Sequence, residues 1–427
     1  LFGVDKKYRY LPLYSVSALW RISEEPFTEN AKWLDNLVIR ASYGLQGNID
    51  KNTSPYLLGK YQSNATPILP GNTEDMIVVT SAPNDKLRWE KTHSVNVGLD
   101  FAVLNQAINL SVDYYYRKGV DLIGTQMLPL ETGFEMLTVN WASMRNQGVE
   151  VALSTRNVHT KNFMWTTNFN FAYNNNKVLK EALREDALEP GREGYPAGAL
   201  FALKTAGLDE EGYPMFQDKD GKAVSAMEFF KLQEWGFGAT DLTARERREL
   251  YTYVGTADCP YTGGFNNTFT YKAFELGVNF SFDFGGKVRS QPTYSIVDFD
   301  KGRNTNRDIL NRWTPENTET IFPVLLSQNE RLDEYMWYSN QNEIYRNLDI
   351  WIRDLNYVRL QNIRLGYTLP TNFSRTLGMT SATVAIEGRN LLVFGSSYKN
   401  YLDPETMSNA YATPAPKSVT LSLNLIF

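Results

Sequence analysis

The chain has 427 residues, a formal net charge of −5 and a pI near 5.4, with 21% charged and 13% aromatic residues. It carries no Lys- or Arg-rich run, which argues against a nucleic-acid partner, and its lone cysteine, Cys259, excludes an intrachain disulfide. No stretch reaches the roughly 18 consecutive apolar residues of a membrane helix. A negative mean hydropathy still leaves a membrane β-barrel open, because a barrel exposes only alternate residues to lipid.

Period-two alternation runs from end to end, and helical periodicity is scarce. Strands are expected near residues 11–22, 36–46, 92–101, 107–117, 146–156, 163–173, 264–271, 274–284, 356–369, 382–392 and 418–427. In "HSVNVGLDF", Val95, Val97, Leu99 and Phe101 share one face, opposite Asn96, Gly98 and Asp100. "INLSVDYYY" sets Ile108, Leu110, Val112, Tyr114 and Tyr116 against Asn109, Ser111 and Asp113. "GVEVALST" and "FMWTTNFNFAY" repeat the pattern, the second with aromatic rings at Phe163, Trp165, Phe169, Phe171 and Tyr173. "FELGVNFSFDF" alternates Phe274, Leu276, Val278, Phe280, Phe282 and Phe284 with Glu275, Asn279, Ser281 and Asp283. The chain ends on "SVTLSLNLIF", where Val419, Leu421, Leu423, Leu425 and Phe427 face away from Ser418, Thr420, Ser422 and Asn424.

Such runs match the roughly nine to eleven residues that a tilted strand needs to cross a bilayer. A soluble sandwich with one buried face also alternates, but its strands average about five or six residues. The connections alternate in length as well. Phe101–Ala107, Arg156–Asn162 and Lys272–Ala273 are short, whereas Lys118–Asn146, the link after Tyr173, Gly285–Asp354 and Gly395–Lys417 are long. Short periplasmic turns and long external loops are the pattern of an outer-membrane barrel. The strand count is odd, and bacterial barrels close antiparallel with an even number. The expectation is therefore that an upstream part of the same barrel precedes Leu1, since an open edge in lipid leaves backbone groups unpaired.

Several blocks carry a family resemblance. "LWRISEEPF" with "WLDNLVIRASYGLQGN", then "LRWEKTHSVNVGLDF", "VDYYYRKGVDLI" and "MRNQGVEVALS", resemble the barrel of SusC/RagA-type TonB-dependent outer-membrane transporters. "GGFNNTFTYKAFELGVNFSFDFGGK", "RWTPENT", "VRLQNIRLGYTLP", "IEGRNLLVF" with "YLDPE", and "PAPKSVTLSLNLIF" continue the family order. One departure is "ADCPYTGGF", where Cys259 falls in a stretch that the family pattern fills with Asn-Pro.

The resemblance implies an all-β antiparallel transmembrane barrel of about 22 strands with a plugged lumen. Residues 1–427 would supply roughly its C-terminal half, without the N-terminal plug or the TonB-contacting segment. It further implies import of oligomeric nutrients, glycan fragments ahead of peptides, across the bacterial outer membrane. The implied partners are a SusD-like surface lipoprotein acting as a lid and the TonB–ExbB–ExbD complex. Two rivals stand beside it: a TonB-dependent receptor for iron chelates or cobalamin, and a soluble, secreted β-rich carbohydrate-binding protein.

Nothing in the sequence supports catalysis, a cofactor or a resident metal. His93 and His159 lack metal-ligand neighbours at useful spacing. Asp218 and Asp220 of "DKDG" lack the later ligands of a calcium loop and read as a hairpin turn. Sugars present apolar ring faces beside hydroxyls, so aromatic residues in long loops are the substrate-binding candidates. These are Trp141, Trp235, Asp333, Tyr335, Trp337 and Tyr338; each could instead pack loops or meet the lid. Tyr114, Tyr116 and Trp165 read as the aromatic belt at the bilayer boundary. The terminal Phe427 resembles the signal read by outer-membrane assembly machinery.

Overall fold

The structure is a computed structural model that describes residues 3–51, 53–65, 74–233, 240–290, 307–324, 347–376, 378–395, 403–406 and 413–427. It divides into two units, Leu1–Glu185 with Gly191–Ala197, and Asp186–Pro190 with Gly198–Phe427.

In the first unit, β1 (Tyr14–Arg21), β2 (Leu34–Asn48), β5 (Glu90–Val103), β6 (Ile108–Met127), β7 (Met136–His159) and β8 (Phe163–Lys180) pair antiparallel in that order. Between β2 and β5, β3 (Leu58–Ala65) and β4 (Glu74–Ser81) form a separate hairpin. Register carries the alternation of one strand onto the next. Trp20, Ile39, Leu99, Val112, Val151 and Phe171 oppose one another in a single row across six strands. The adjacent row, on the other face, reads Arg40, Gly98, Asp113, Glu150 and Ala172.

The second unit opens with five short strands: β9 (Ala199–Leu203), β10 (Thr205–Leu208), β11 (Pro214–Gln217), β12 (Ala223–Ser225) and β13 (Tyr251–Thr256). β10, β11 and β12 form one small sheet, and β9 pairs with β13 in another. Long strands then follow: β14 (Tyr261–Tyr271), β15 (Phe274–Arg289), β16 (Ile352–Thr368), β17 (Ser381–Phe394) and β18 (Ser418–Ile426), again antiparallel neighbours in chain order. Phe269, Leu276, Leu365, Ile386 and Leu421 make an apolar row, and Gly277, Arg364, Glu387 and Thr420 lie on the opposite face.

All eleven strands expected from alternation are therefore present, and most are longer than expected. The connection foreseen as Lys118–Asn146 shortens to residues 128–135, because β6 and β7 stay hydrogen-bonded well past the length that a bilayer requires. Lys272 takes φ 53°, the positive value that a two-residue turn needs to follow strand twist.

Burial inverts the usual soluble pattern. On the apolar rows Ile39 is 39% exposed, Leu365 46%, Ile386 49% and Leu421 77%. A soluble sheet with that composition would hide those side chains at about 25 cal/mol per Å² of apolar surface. The packed apolar cluster lies instead in the segment of short strands, where Leu203, Tyr213, Phe216, Val224, Phe229 and Phe230 meet Leu348 and Trp351. The soluble carbohydrate-binding reading required polar outer faces, and these strands present the reverse.

Candidate functional site

The strands' polar face is built from charges that satisfy one another. The Arg40 guanidinium donates from Nε to Asp100 at 2.8 Å and from Nη2 to Asp113 at 3.1 Å, while Ser111 Oγ donates to Asp100 at 2.8 Å. Gly98 lies between them in register, and a Cβ there would fall 2.5 Å from Asp113 Oδ1 and 2.7 Å from Arg40 Nη2. A glycine is what lets the guanidinium lie flat across β5. Apart from this cluster, at the start of β5, Asp121 takes hydrogen bonds from Arg88 at 2.7 Å and Lys91 at 3.1 Å, and Asn140 ties to the Arg88 and Asp121 carbonyls.

The second unit repeats the theme. Arg364 donates to Glu275 at 2.9 Å, and Gln361 to Ser281 at 2.7 Å. Arg359, 1% exposed, binds Asp403 and, at 2.8 Å, Glu405. Both carboxylates come from the "DPE" turn of the connection between β17 and β18. The motif is visible in the sequence, but its partnership with Arg359 is not. The available signal was an arginine on a strand whose neighbours alternate apolar and polar.

The segment of short strands adds a cavity of about 590 Å³. Val224, Phe229 and Leu250 supply its apolar lining, and Lys204, Asp218, Lys219, Asp220, Glu228 and Glu249 its charges. Asp218 is a turn residue, as expected: its Oδ1 accepts from the backbone N–H of Asp220 at 3.0 Å and of Lys222 at 2.7 Å, closing the β11–β12 hairpin. Lys219 bonds Glu249 at 3.2 Å and holds that carboxyl below its ordinary range. The helix α1 (Ala244–Glu249) begins with a capping box in which Thr243 and Glu246 exchange hydrogen bonds, and these bonds draw the Glu246 carboxyl down to about 2. Among the described residues, no group of three or more His, Cys, Asp or Glu is placed to hold a metal ion.

Of the substrate-binding candidates, Trp141 lies on β7 and is 46% exposed, with Lys180 Nζ 3.5 Å from its ring centroid. That cation occupies one ring face, so a sugar could stack only on the other. Trp235, Asp333, Tyr335, Trp337 and Tyr338 lie outside the described residues. His93 pairs with the Tyr43 hydroxyl at 2.9 Å within the strand pair β2–β5. Phe427 follows β18 and is 82% exposed.

Comparison with known proteins gives a consistent set of likenesses. The family model described as TonB dependent receptor-like, beta-barrel matches residues 2–202. TonB-dependent receptor P3 of Formosa agariphila is 27% identical over 455 residues, a match that takes in the whole of this chain and 42% of the relative. TonB-dependent receptor SusC of Bacteroides thetaiotaomicron is 26% identical over 450 residues, with 99% of this chain and 40% of the relative covered. Among solved structures, the RagAB peptide importer in its closed-closed state superposes with a TM-score of 0.76 at 24% identity, over 99% of this chain and 44% of that one. The open-open state gives 0.76 at 23% identity, over 100% and 44%. The chain thus spans about two fifths of the length of the curated relatives that it matches.

Proposed function

We propose that the chain, similar over residues 2–202 to the TonB-dependent receptor-like β-barrel model and along its whole length to TonB-dependent receptors, belongs to that outer-membrane family and forms the C-terminal part of the wall of an energised importer of oligomeric nutrients. The observation that carries this reading is the two-sidedness of the long strands. One face is apolar and exposed, as lipid contact requires, and the other is laced with ion pairs and amides, as a wet lumen requires. In this reading a plug from elsewhere in the protein fills the lumen, TonB–ExbB–ExbD supplies the energy, and a SusD-like lipoprotein closes the outer mouth. The chain binds and passes its substrate without breaking bonds in it.

Glycan fragments are the first reading for the cargo, as the resemblance of the sequence blocks to the SusC/RagA type implies. Peptides are the second, supported by the naming of RagAB as a peptide importer. The test is uptake of labelled oligosaccharides and peptides by the host with the gene intact, deleted, or intact but with TonB disabled. Uptake of one class should vanish in both defective strains; uptake that persists without TonB would overturn the energised importer. A detergent pull-down that recovers a surface lipoprotein supports the lidded type. Recovery of the protein alone, with uptake of iron chelate or cobalamin, would move the assignment to the rival receptor class.

A further inference from the structure

Of the connection 395–417 between β17 and β18, the turn Asp403–Thr406 is described, and its contacts place that turn against the polar face of β15 and β16. Asp283 on β15 opposes Tyr357 on β16, and Ser281 opposes Arg359, so these four share the face that carries Asn279, Glu275 and the other polar residues. Asp403 and Glu405 reach that same face. Arg359 donates to both, and the Tyr357 hydroxyl bonds Asp283 and lies 3.3 Å from Glu405. The turn is also knit to itself around Asp403. Glu405 N–H donates to its Oδ1 at 3.1 Å, Ala415 N–H to its Oδ2 at 3.2 Å, and Thr406 N–H to its backbone carbonyl at 2.9 Å. One buried guanidinium thus gathers a turn from far along the chain onto the lumenal side of the wall.

We propose that the turn Asp403–Thr406 is a strap closed onto the inner wall by Arg359, and that it sets the upper size of the oligomer passing that part of the lumen. Apolar packing would fix the segment through many interchangeable contacts. This attachment runs through one cation and two carboxylates, and its Arg359–Asp403 arm is desolvated, with side-chain exposures of 2% and 6%, while Glu405 stays 42% exposed. A buried pair of this kind is directional and is lost as a unit when one partner is removed. Arg359 is a positioning residue here: it acts through the strap.

The size claim rests on the importer reading, but the strap itself does not, and two readouts on the native full-length protein separate them. Hydrogen exchange should show the Glu405, Thr406 and Ala415 amides protected. Arg359→Gln should speed their exchange at least tenfold while amides of β14–β18 remain unchanged. Asp403→Asn, a loop change that leaves the wall intact, should give the same local effect and decides the matter if Arg359→Gln fails to assemble. Amides that stay protected in Asp403→Asn, or are unprotected in the wild type, overturn the strap. In the uptake arm, a ladder of oligomers of increasing length should show a longer cut-off in either variant, with surface levels unchanged. An unchanged cut-off with the strap released overturns the sizing role, and absence of any uptake in the wild type counts against the importer reading alone.

Discussion

Gly98 shows how a single residue can organise the polar face. Its lack of a side chain lets Arg40 on β2 reach past β5 to Asp113 on β6 while also holding Asp100. Gly98→Ala should force the guanidinium off this path. The Arg40–Asp113 bond should break first, at a cost on the order of 1 kcal/mol for a partly exposed pair, with the strands still paired. Thermal unfolding of the detergent-solubilised protein, together with an Arg40→Met/Gly98→Ala double-mutant cycle, would check it. The account expects the glycine substitution to cost little once Arg40 is gone. Arg359 is the more exacting case, because it is buried and its partners come from a distant turn.

At the scale of elements, the small folded segment between β8 and β14 behaves unlike the strands around it. It has an aromatic core, with Phe216 and Phe229 stacked at 4.9 Å and Phe230 edge-on to both, and a helix begun by the Thr243–Glu246 capping box. Thr243→Ala should destabilise that helix by about 1 kcal/mol, read as faster exchange of its first-turn amides with strand amides unaffected. The carboxyl of Glu246 is held down to about 2 in the folded state. Its contribution is therefore fully present above the ordinary carboxylate range and is lost as pH falls from there towards 2. Helix-local exchange should rise over that window in the wild type and change much less in Glu246→Gln.

This segment was also where the sequence said least. The long strands were legible because lipid on one side and water on the other impose a strict period of two, and all eleven appeared. Their full lengths were not, since pairing that continues beyond the bilayer needs no apolar face; β7 runs from Met136 to His159 on this account. The short strands β9–β13 carry only three to six residues each, too few for a period to register. The "DKDG" turn was readable from local chemistry alone, whereas the partnership of Arg359 with Asp403 depends on residues brought together by strand order. Among the aromatic candidates only Trp141 lies in a described segment, and Lys180 on the neighbouring strand, invisible from local sequence, covers one face of its ring.

For the whole molecule, the decisive matter is the medium that the apolar rows meet. The lone Cys259 makes labelling simple once it is changed to serine. Single cysteines placed along β17 and β18 at Val384, Ile386, Leu421 and Leu423, and at Glu387, Thr420 and Ser422 between them, would carry spin labels in the protein reconstituted into bilayers. Collision rates with oxygen, which concentrates in hydrocarbon, and with a water-soluble nickel chelate would then be compared site by site. The account predicts high oxygen and low nickel accessibility at the first four, and the reverse at the other three. Water-like accessibility at Leu421, Leu423 and Ile386, or protection of those sites from both reagents, would contradict it.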